Sequence, residues 1–110
     1  MTRVYELMFI VDADVDDEGI RAALAKVGEM IVEEGGKVAT TDEWGRRKYA
    51  YPINKKLEGY YIVLEIVTEA HNLDSVDRYL RLADDIVRHK IMRLPEHEAA
   101  RRGLLSAADA

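Results

Sequence analysis

The sequence predicts an α+β domain of βαββαβ order, the ferredoxin-like split in which a four-stranded antiparallel sheet carries two helices on one face. Three observations carry that expectation. Residues 4–11 and 60–67 are apolar at both parities, with one charge each (Glu6 and Glu65), as in strands buried on both faces. Each is followed by a segment with helical spacing of apolar residues. The remaining extended segments, 37–53 and 86–94, are the two strands richest in cations, which marks them as the sheet edges.

Taken in order, the first strand covers residues 4–11. Residues 12–17 hold four aspartates and read as a turn leading into a helix, with Asp14 or Asp16 as N-cap and acids favoured by the helix dipole. Ile20, Ala23, Leu24, Val27 and Ile31, with Met30 beside them, form the apolar stripe, and Gly35-Gly36 stops the helix. Residues 37–43 are β-prone and polar, and continue past Trp44-Gly45 into the basic stretch as one long, bent strand ended by Pro52. Residues 54–59 read as the hairpin loop and 60–67 as the third strand. Asn72 caps a second, shorter helix whose stripe is Leu73, Val76, Leu80 and Ala83; residues 86–94 form the last strand, ended by Pro95. Residues 1–95 are thus one domain. The segment 96–110 is alanine-rich and charged, has Leu104-Leu105 as its one bulky apolar pair, and reads as a mobile tail able to turn helical on a partner.

Composition narrows the chemistry. The chain has 110 residues, enough for one compact domain with a real core. It has no cysteine, so disulfides, thiolate metal sites and cysteine nucleophiles are excluded. No run approaches the roughly 20 apolar residues a membrane helix needs, and nothing at the amino end resembles a signal peptide, so a cytosolic setting and no membrane partner are expected. The net charge is −5, but it is unevenly spread: residues 1–45 balance to −7 and residues 46–95 to +3. Screening limits the reach of charges to about 8–10 Å at physiological salt, so a local basic patch sets the field that a ligand meets.

The patch is centred on Gly45-Arg46-Arg47-Lys48-Tyr49-Ala50-Tyr51-Pro52-Ile53, followed by Lys55, Lys56 and Gly59-Tyr60-Tyr61. Cations that neutralise phosphates beside flat rings are the materials of nucleic-acid surfaces. By strand parity, Tyr49, Tyr51 and Ile53 are expected to turn toward the helices, with the hydroxyls at the rim. Arg46 and Lys48 then face solvent, where they either guard an edge or meet phosphate; three cations in a row with two more in the next loop exceed what edge protection requires. On the last strand Arg88 and Lys90 share the solvent face, whereas His89 shares the parity of Val87 and Ile91 and reads as a packed residue. Arg3 and Arg93 complete the cation set.

Catalysis finds little support. His71, His89 and His97 lack ligand spacing, and neither a nucleophile elbow nor a phosphate-cradling glycine loop is present. The acidic run 12–18 lacks the glycine and spacing of a calcium loop, so neither metal nor cofactor is expected. Residues 58–65 supply the glycine and one ring of an RNA-recognition strand but place Ile62 and Glu65 where stacking aromatics belong. Two other classes share the topology: a small-molecule-binding or enzymatic dimeric domain, and a protein-only module that pairs through its edge strand.

Gly-Arg-Arg-Lys-x-Ala-Tyr-Pro-Ile at 45–53, then Lys55 and Gly59-Tyr60, resembles the signature of the ribosomal protein S-six family, the sixth protein of the bacterial small subunit. Arg3-x-Tyr5-Glu6, Gly35-Gly36-Lys37-Val38 before Trp44-Gly45, and Val87 followed by Met92-Arg93 agree with it, so that the resemblance spans residues 3 to about 94. Tyr49 departs from it, standing where the family usually has an aliphatic residue. The resemblance implies a non-catalytic βαββαβ domain that binds small-subunit ribosomal RNA of the central domain together with ribosomal protein S-eighteen as heterodimer partner. Arg3, Arg46, Arg47, Lys48, Lys55, Lys56, Arg88, Lys90 and Arg93 are the residues expected at the RNA or at that partner.

Overall fold

Residues 2–53 and 55–105 are described by the structure, a computed structural model. The elements run β1 (Arg3–Asp12), α1 (Asp17–Glu33), β2 (Lys37–Ile53), β3 (Lys56–Thr68), α2 (Asp74–Leu82), β4 (Ile86–Leu94) and α3 (Glu96–Arg101). The sheet is antiparallel with strand order β2-β3-β1-β4, so the two strands apolar at both parities are central and the two strands richest in cations are the edges, as expected.

The register divides the central strands into two faces. Tyr5, Leu7, Phe9 and Val11 stand beside Ile66, Leu64, Ile62 and Tyr60, and point toward the helices. There they pack against Ile20, Val27 and Ile31 of α1, Val76 and Leu80 of α2, and Leu73 just before it. Leu7, Phe9 and Ile62 are wholly buried, and side chains of this kind each contribute about 1.5–3 kcal/mol by leaving water. Val4, Glu6, Met8 and Ile10, beside Val67, Glu65, Val63 and Tyr61, form the opposite face, which the two long helices leave uncovered.

The helix ends follow the sequence signals. The Asp16 carboxylate accepts the Gly19 N–H at 2.8 Å and caps α1. Gly35, at φ +84°, lets the chain turn back so that the Gly36 N–H reaches the Ile31 carbonyl at 2.9 Å. At α2 the cap differs by one residue: Leu73 occupies the N-cap position, and the Asn72 side chain accepts the Asp74 N–H at 3.1 Å from just outside the helix.

Two further differences are larger. The third strand begins at Lys56 rather than at residue 60, so residues 56–59 belong to the ladder and not to the hairpin loop; Asn54 lies outside the described residues. Leu57 and Glu58 carry no turn signal of their own, and the ladder extends through them, Lys48 pairing with Glu58 and Ile53 with Lys56. Residues 96–105, expected as a mobile tail, fold back on the sheet. Ala99, Leu104 and Leu105 pack on Val4, Val67 and Leu94, covering one end of the face that α1 and α2 leave open. Arg102 lies 3.0 Å from Glu65, 3.6 Å from Glu6 and 2.9 Å from Glu98, so one guanidinium answers the paired carboxylates of the two central strands. Arg101 and Arg102 together hold the Glu98 carboxyl down at about 2. Residues 106–110 of that segment lie outside the described residues.

Placing a charged chain under α3 separates docking from folding. In Ala99→Lys, a position 1% exposed, the amides of residues 98–104 should exchange hydrogen freely while those of β1 stay protected. Equal protection of both in the variant would show that α3 does not depend on this contact.

Candidate nucleic-acid interface

The basic stretch lies on a distorted edge. Pairing of β2 with β3 shifts between Glu43 and Gly45, and Gly45 takes φ +81°, the conformation of a bulge glycine. A second break follows: Lys48 pairs with Glu58 and Ile53 with Lys56, so residues 49–52 stand opposite Leu57 alone. They arch outward, and Pro52, which has no N–H to pair, sits within the arch.

This arch inverts the expected faces of the tyrosines. A Cβ on Gly59 would collide with the Tyr49 hydroxyl and with Ile10, which places the Tyr49 ring over Gly59 on the helix-free face. Tyr51 lines the same side with Met8 and Ile10 and is 61% exposed. Neither packs under the helices. The cause is the bulge, which shifts strand parity by one and which a count of alternation through Gly45 passes over. Trp44 stacks on Tyr61 with centroids 6.3 Å apart and planes within 6°, and the Arg47 guanidinium lies 5.1 Å from the centre of the Trp44 ring. The Tyr49 hydroxyl is buried and has no hydrogen-bond partner among the described residues, and burial raises its pKa.

The arch, β1 and β4 enclose a groove of about 370 Å³, floored by Met8, Ile10 and Tyr61 and flanked by Arg88 and Lys90. Those two cations pair in register with Ile10 and Met8, on the helix-free face assigned to them from sequence. His89 turns the other way: its Nε2 lies 2.6 Å from the Asp77 carboxylate on α2, tying β4 to the helix layer. The imidazole and its acid are therefore on the sheet face opposite the groove.

The nine expected cations separate into two sets. Arg46 donates to the Ala13 carbonyl at 2.7 Å, Lys56 is paired with Asp14 and stands 3.8 Å from Asp12, and Arg3 donates to the Glu69 carbonyl at 3.4 Å. The link to Asp14 raises the Lys56 pKa. Arg47, Lys48, Lys55, Arg88, Lys90 and Arg93 are exposed, and among the described residues none forms an ion pair. Arg93 pairs in register with Tyr5 and so lies on the helix side, apart from Arg88 and Lys90. Sequence reasoning missed Trp44 and Tyr61 as a ring stack on the open face; the glycine inside a strand pattern was the signal that could have found it. On the helix side Arg21 and Tyr60 both donate to the Glu43 carboxylate, Tyr60 at 2.8 Å, and hold its pKa below the usual range, Arg21 having the larger effect.

The chain is of the class of split βαβ domains that keep one sheet face under helices and leave the other open, here carrying rings and, among the described residues, cations in no ion pair. Comparison with known proteins narrows the class. The family model for ribosomal protein S6 matches residues 4–93. The small ribosomal subunit protein bS6 of Corynebacterium aurimucosum is 46% identical over 91 residues, covering 83% of this chain and 95% of that protein. Its counterpart from Carboxydothermus hydrogenoformans is 41% identical over 93 residues, covering 84% and 97%. The crystal structure of 30S ribosomal protein S6 from Thermotoga maritima superposes with a TM-score of 0.84 at 31% identity, covering 94% of this chain and 97% of that one. The chain belongs to the ribosomal protein S6 family. It is a structural, non-enzymatic component of the small ribosomal subunit, placed by its family in the bacterial cytoplasm, and no described helix is long and apolar enough to cross a membrane.

The His89–Asp77 contact has a pH signature. The hydrogen bond from His89, with a smaller effect of Arg81, holds the Asp77 carboxyl below its ordinary 3.8. A depressed carboxyl contributes stability that is fully present above its unfolded value and is lost as pH falls through the folded one. The denaturation midpoints of the parent and Asp77→Asn should therefore differ at pH 5 and converge as pH falls below 3.8. A difference that persists unchanged at pH 2 would remove Asp77 as its source.

Proposed function

We propose that the chain binds small-subunit ribosomal RNA of the central domain, and that it does so as a pair with ribosomal protein S-eighteen. The observation that carries this reading is a set of exposed cations, in no ion pair among the described residues, on the β2–β3 hairpin and on the opposite edge strand β4 of a protein whose net charge is −5. An acidic domain repels a polyanion at long range, so its basic patch binds best when a second, cationic protein shares the site. Membership in a small-subunit ribosomal family supports ribosomal RNA as the ligand, and S-eighteen as partner follows from the resemblance of the 45–53 signature.

Arg47, Lys48 and Lys55 at the hairpin, with Arg88, Lys90 and Arg93 on β4, are the first candidates for phosphate or partner contact. Arg3, Arg46 and Lys56 act beside them from positions already tied to the fold, so their contribution is to hold the hairpin and strand ends in place as well as to add positive charge. Recognition rests mainly on shape and phosphate, because cations on a rigid sheet fix register without reading base edges.

Filter binding of a central-domain ribosomal RNA fragment across a salt series, with and without S-eighteen, tests this. Tight, salt-sensitive retention is expected with both proteins and weak retention with either alone. Neutralising Arg46, Arg47 and Lys48 together should flatten the salt slope by up to about 0.7–0.9 for each lost phosphate contact. An unchanged slope would assign those three residues to the partner or to edge protection, and absence of binding in every combination would overturn the reading.

A further inference from the structure

We propose that the groove beneath the β2 arch receives an unpaired nucleotide of the bound RNA, its base against Tyr51 and its phosphate on Arg88 and Lys90. The inference rests on the RNA-binding reading above and adds the kind of RNA that the site selects.

Four features converge on this occupant. The groove is floored by Met8, Ile10 and Tyr61, apolar and aromatic atoms that suit the face of a base and not a string of phosphates. Arg88 and Lys90 stand on the same sheet face as that floor, both exposed and neither in an ion pair among the described residues, so charge complementarity calls for an anion at the groove's flank. The ring available for stacking is Tyr51, 61% exposed although it adjoins an apolar surface. Trp44 is also exposed, at 44%, but its ring is engaged with Tyr61, centroids 6.3 Å apart, and with the Arg47 guanidinium 5.1 Å from its centre. Finally, the volume of about 370 Å³ is at the lower end of small-ligand pockets, which run from about 300 to 1,000 Å³. That is room for one nucleotide and too narrow for a duplex, whose bases are in any case stacked on one another and out of reach.

An apolar side chain of a partner protein would fill the floor equally well, but it would leave Arg88 and Lys90 unanswered. The combination of ring, apolar floor and paired cations is matched by a single ligand that carries both a flat face and a negative charge.

The test uses the chain paired with S-eighteen and three RNAs: the central-domain fragment, a labelled single-stranded octamer, and a fully paired hairpin with the same number of phosphates. Anisotropy should show the octamer bound more tightly than the hairpin. Tyr51→Ala should weaken the octamer by roughly 5- to 150-fold, the range that corresponds to one lost base–aromatic stack, and Tyr51→Phe should recover most of that factor. Joint replacement of Arg88 and Lys90 by glutamine should lower the salt slope for the octamer. Equal affinities for octamer and hairpin, or no effect of Tyr51→Ala on the octamer, would overturn the inference while leaving RNA binding by the pair intact. If Tyr51→Ala instead abolishes association with S-eighteen in the absence of RNA, the groove is the partner's seat and the inference is also overturned. Failure of the unaltered pair to bind any of the three RNAs would overturn the functional reading itself, and this inference with it.

Discussion

β1 and β3 are apolar on both faces, and this is the constraint from which the rest of the molecule follows. A sheet of that kind has two surfaces to remove from water, while the βαββαβ order supplies helices to only one of them. On the covered side α1 and α2 complete a single core around Phe9. The other side is closed in pieces. At one end α3 brings Ala99, Leu104 and Leu105 onto Val4, Val67 and Leu94. At the other the rings of Tyr49, Tyr61 and Trp44 lie over the strands themselves. Between these two covers remains the groove. The accessible surface of this protein is thus what is left when a two-sided sheet is covered by three helices and an arch.

The arch depends in turn on backbone geometry more than on composition. Gly45 accepts a positive φ that a β-branched or bulky residue would resist, and the bulge it permits turns the following residues over by one position. Without the bulge, Tyr49 and Tyr51 would point toward α1 and α2, where the core is already filled, and Arg46 would point away. With it, Arg46 reaches the Ala13 carbonyl on the helix side and the tyrosines reach Ile10 and Met8 on the other. Gly59 completes the arrangement by leaving room for the Tyr49 ring, which any side chain there would displace. The two glycines therefore act together, one turning the strand and the other receiving the ring that the turn delivers.

Strand order, edge positions and the α1 cap were legible because they depend on local patterns: apolarity at both parities, strands richer in cations than their neighbours, an aspartate three residues ahead of the Gly19 amide. The face of Tyr49 and Tyr51 was not, because parity is a running count that one bulge resets, and nothing in residues 46–53 themselves records the reset. The docking of α3 was hidden for a different reason. Its contacts join Ala99 and Leu104 to Val4 and Val67 across most of the chain, and its amphipathic stripe is too short to show periodicity. The Glu6–Glu65 pair was visible as two interruptions in apolar strands. That they face each other in register and require a cation could be argued only once the strands were paired, and Arg102 is that cation.

The same distribution of charge explains how an acidic chain presents a basic surface without losing it to its own carboxylates. Opposite charges within a few ångströms neutralise one another locally, whatever the net balance. Here four acids of the first half are engaged close to home: Asp16 by a helix cap, Asp14 by Lys56, Glu43 by Arg21 and Tyr60, Glu6 by Arg102. Each engaged acid is held at the helix side, at the strand ends or under α3, away from the groove. Arg88 and Lys90 gain from this sorting, since their sheet neighbours across β1 are the uncharged Ile10 and Met8. A cation beside an apolar neighbour keeps its field for an external anion, whereas one beside a carboxylate spends it internally, so segregation of charge along the sheet matters more to this surface than the number of lysines and arginines in the chain.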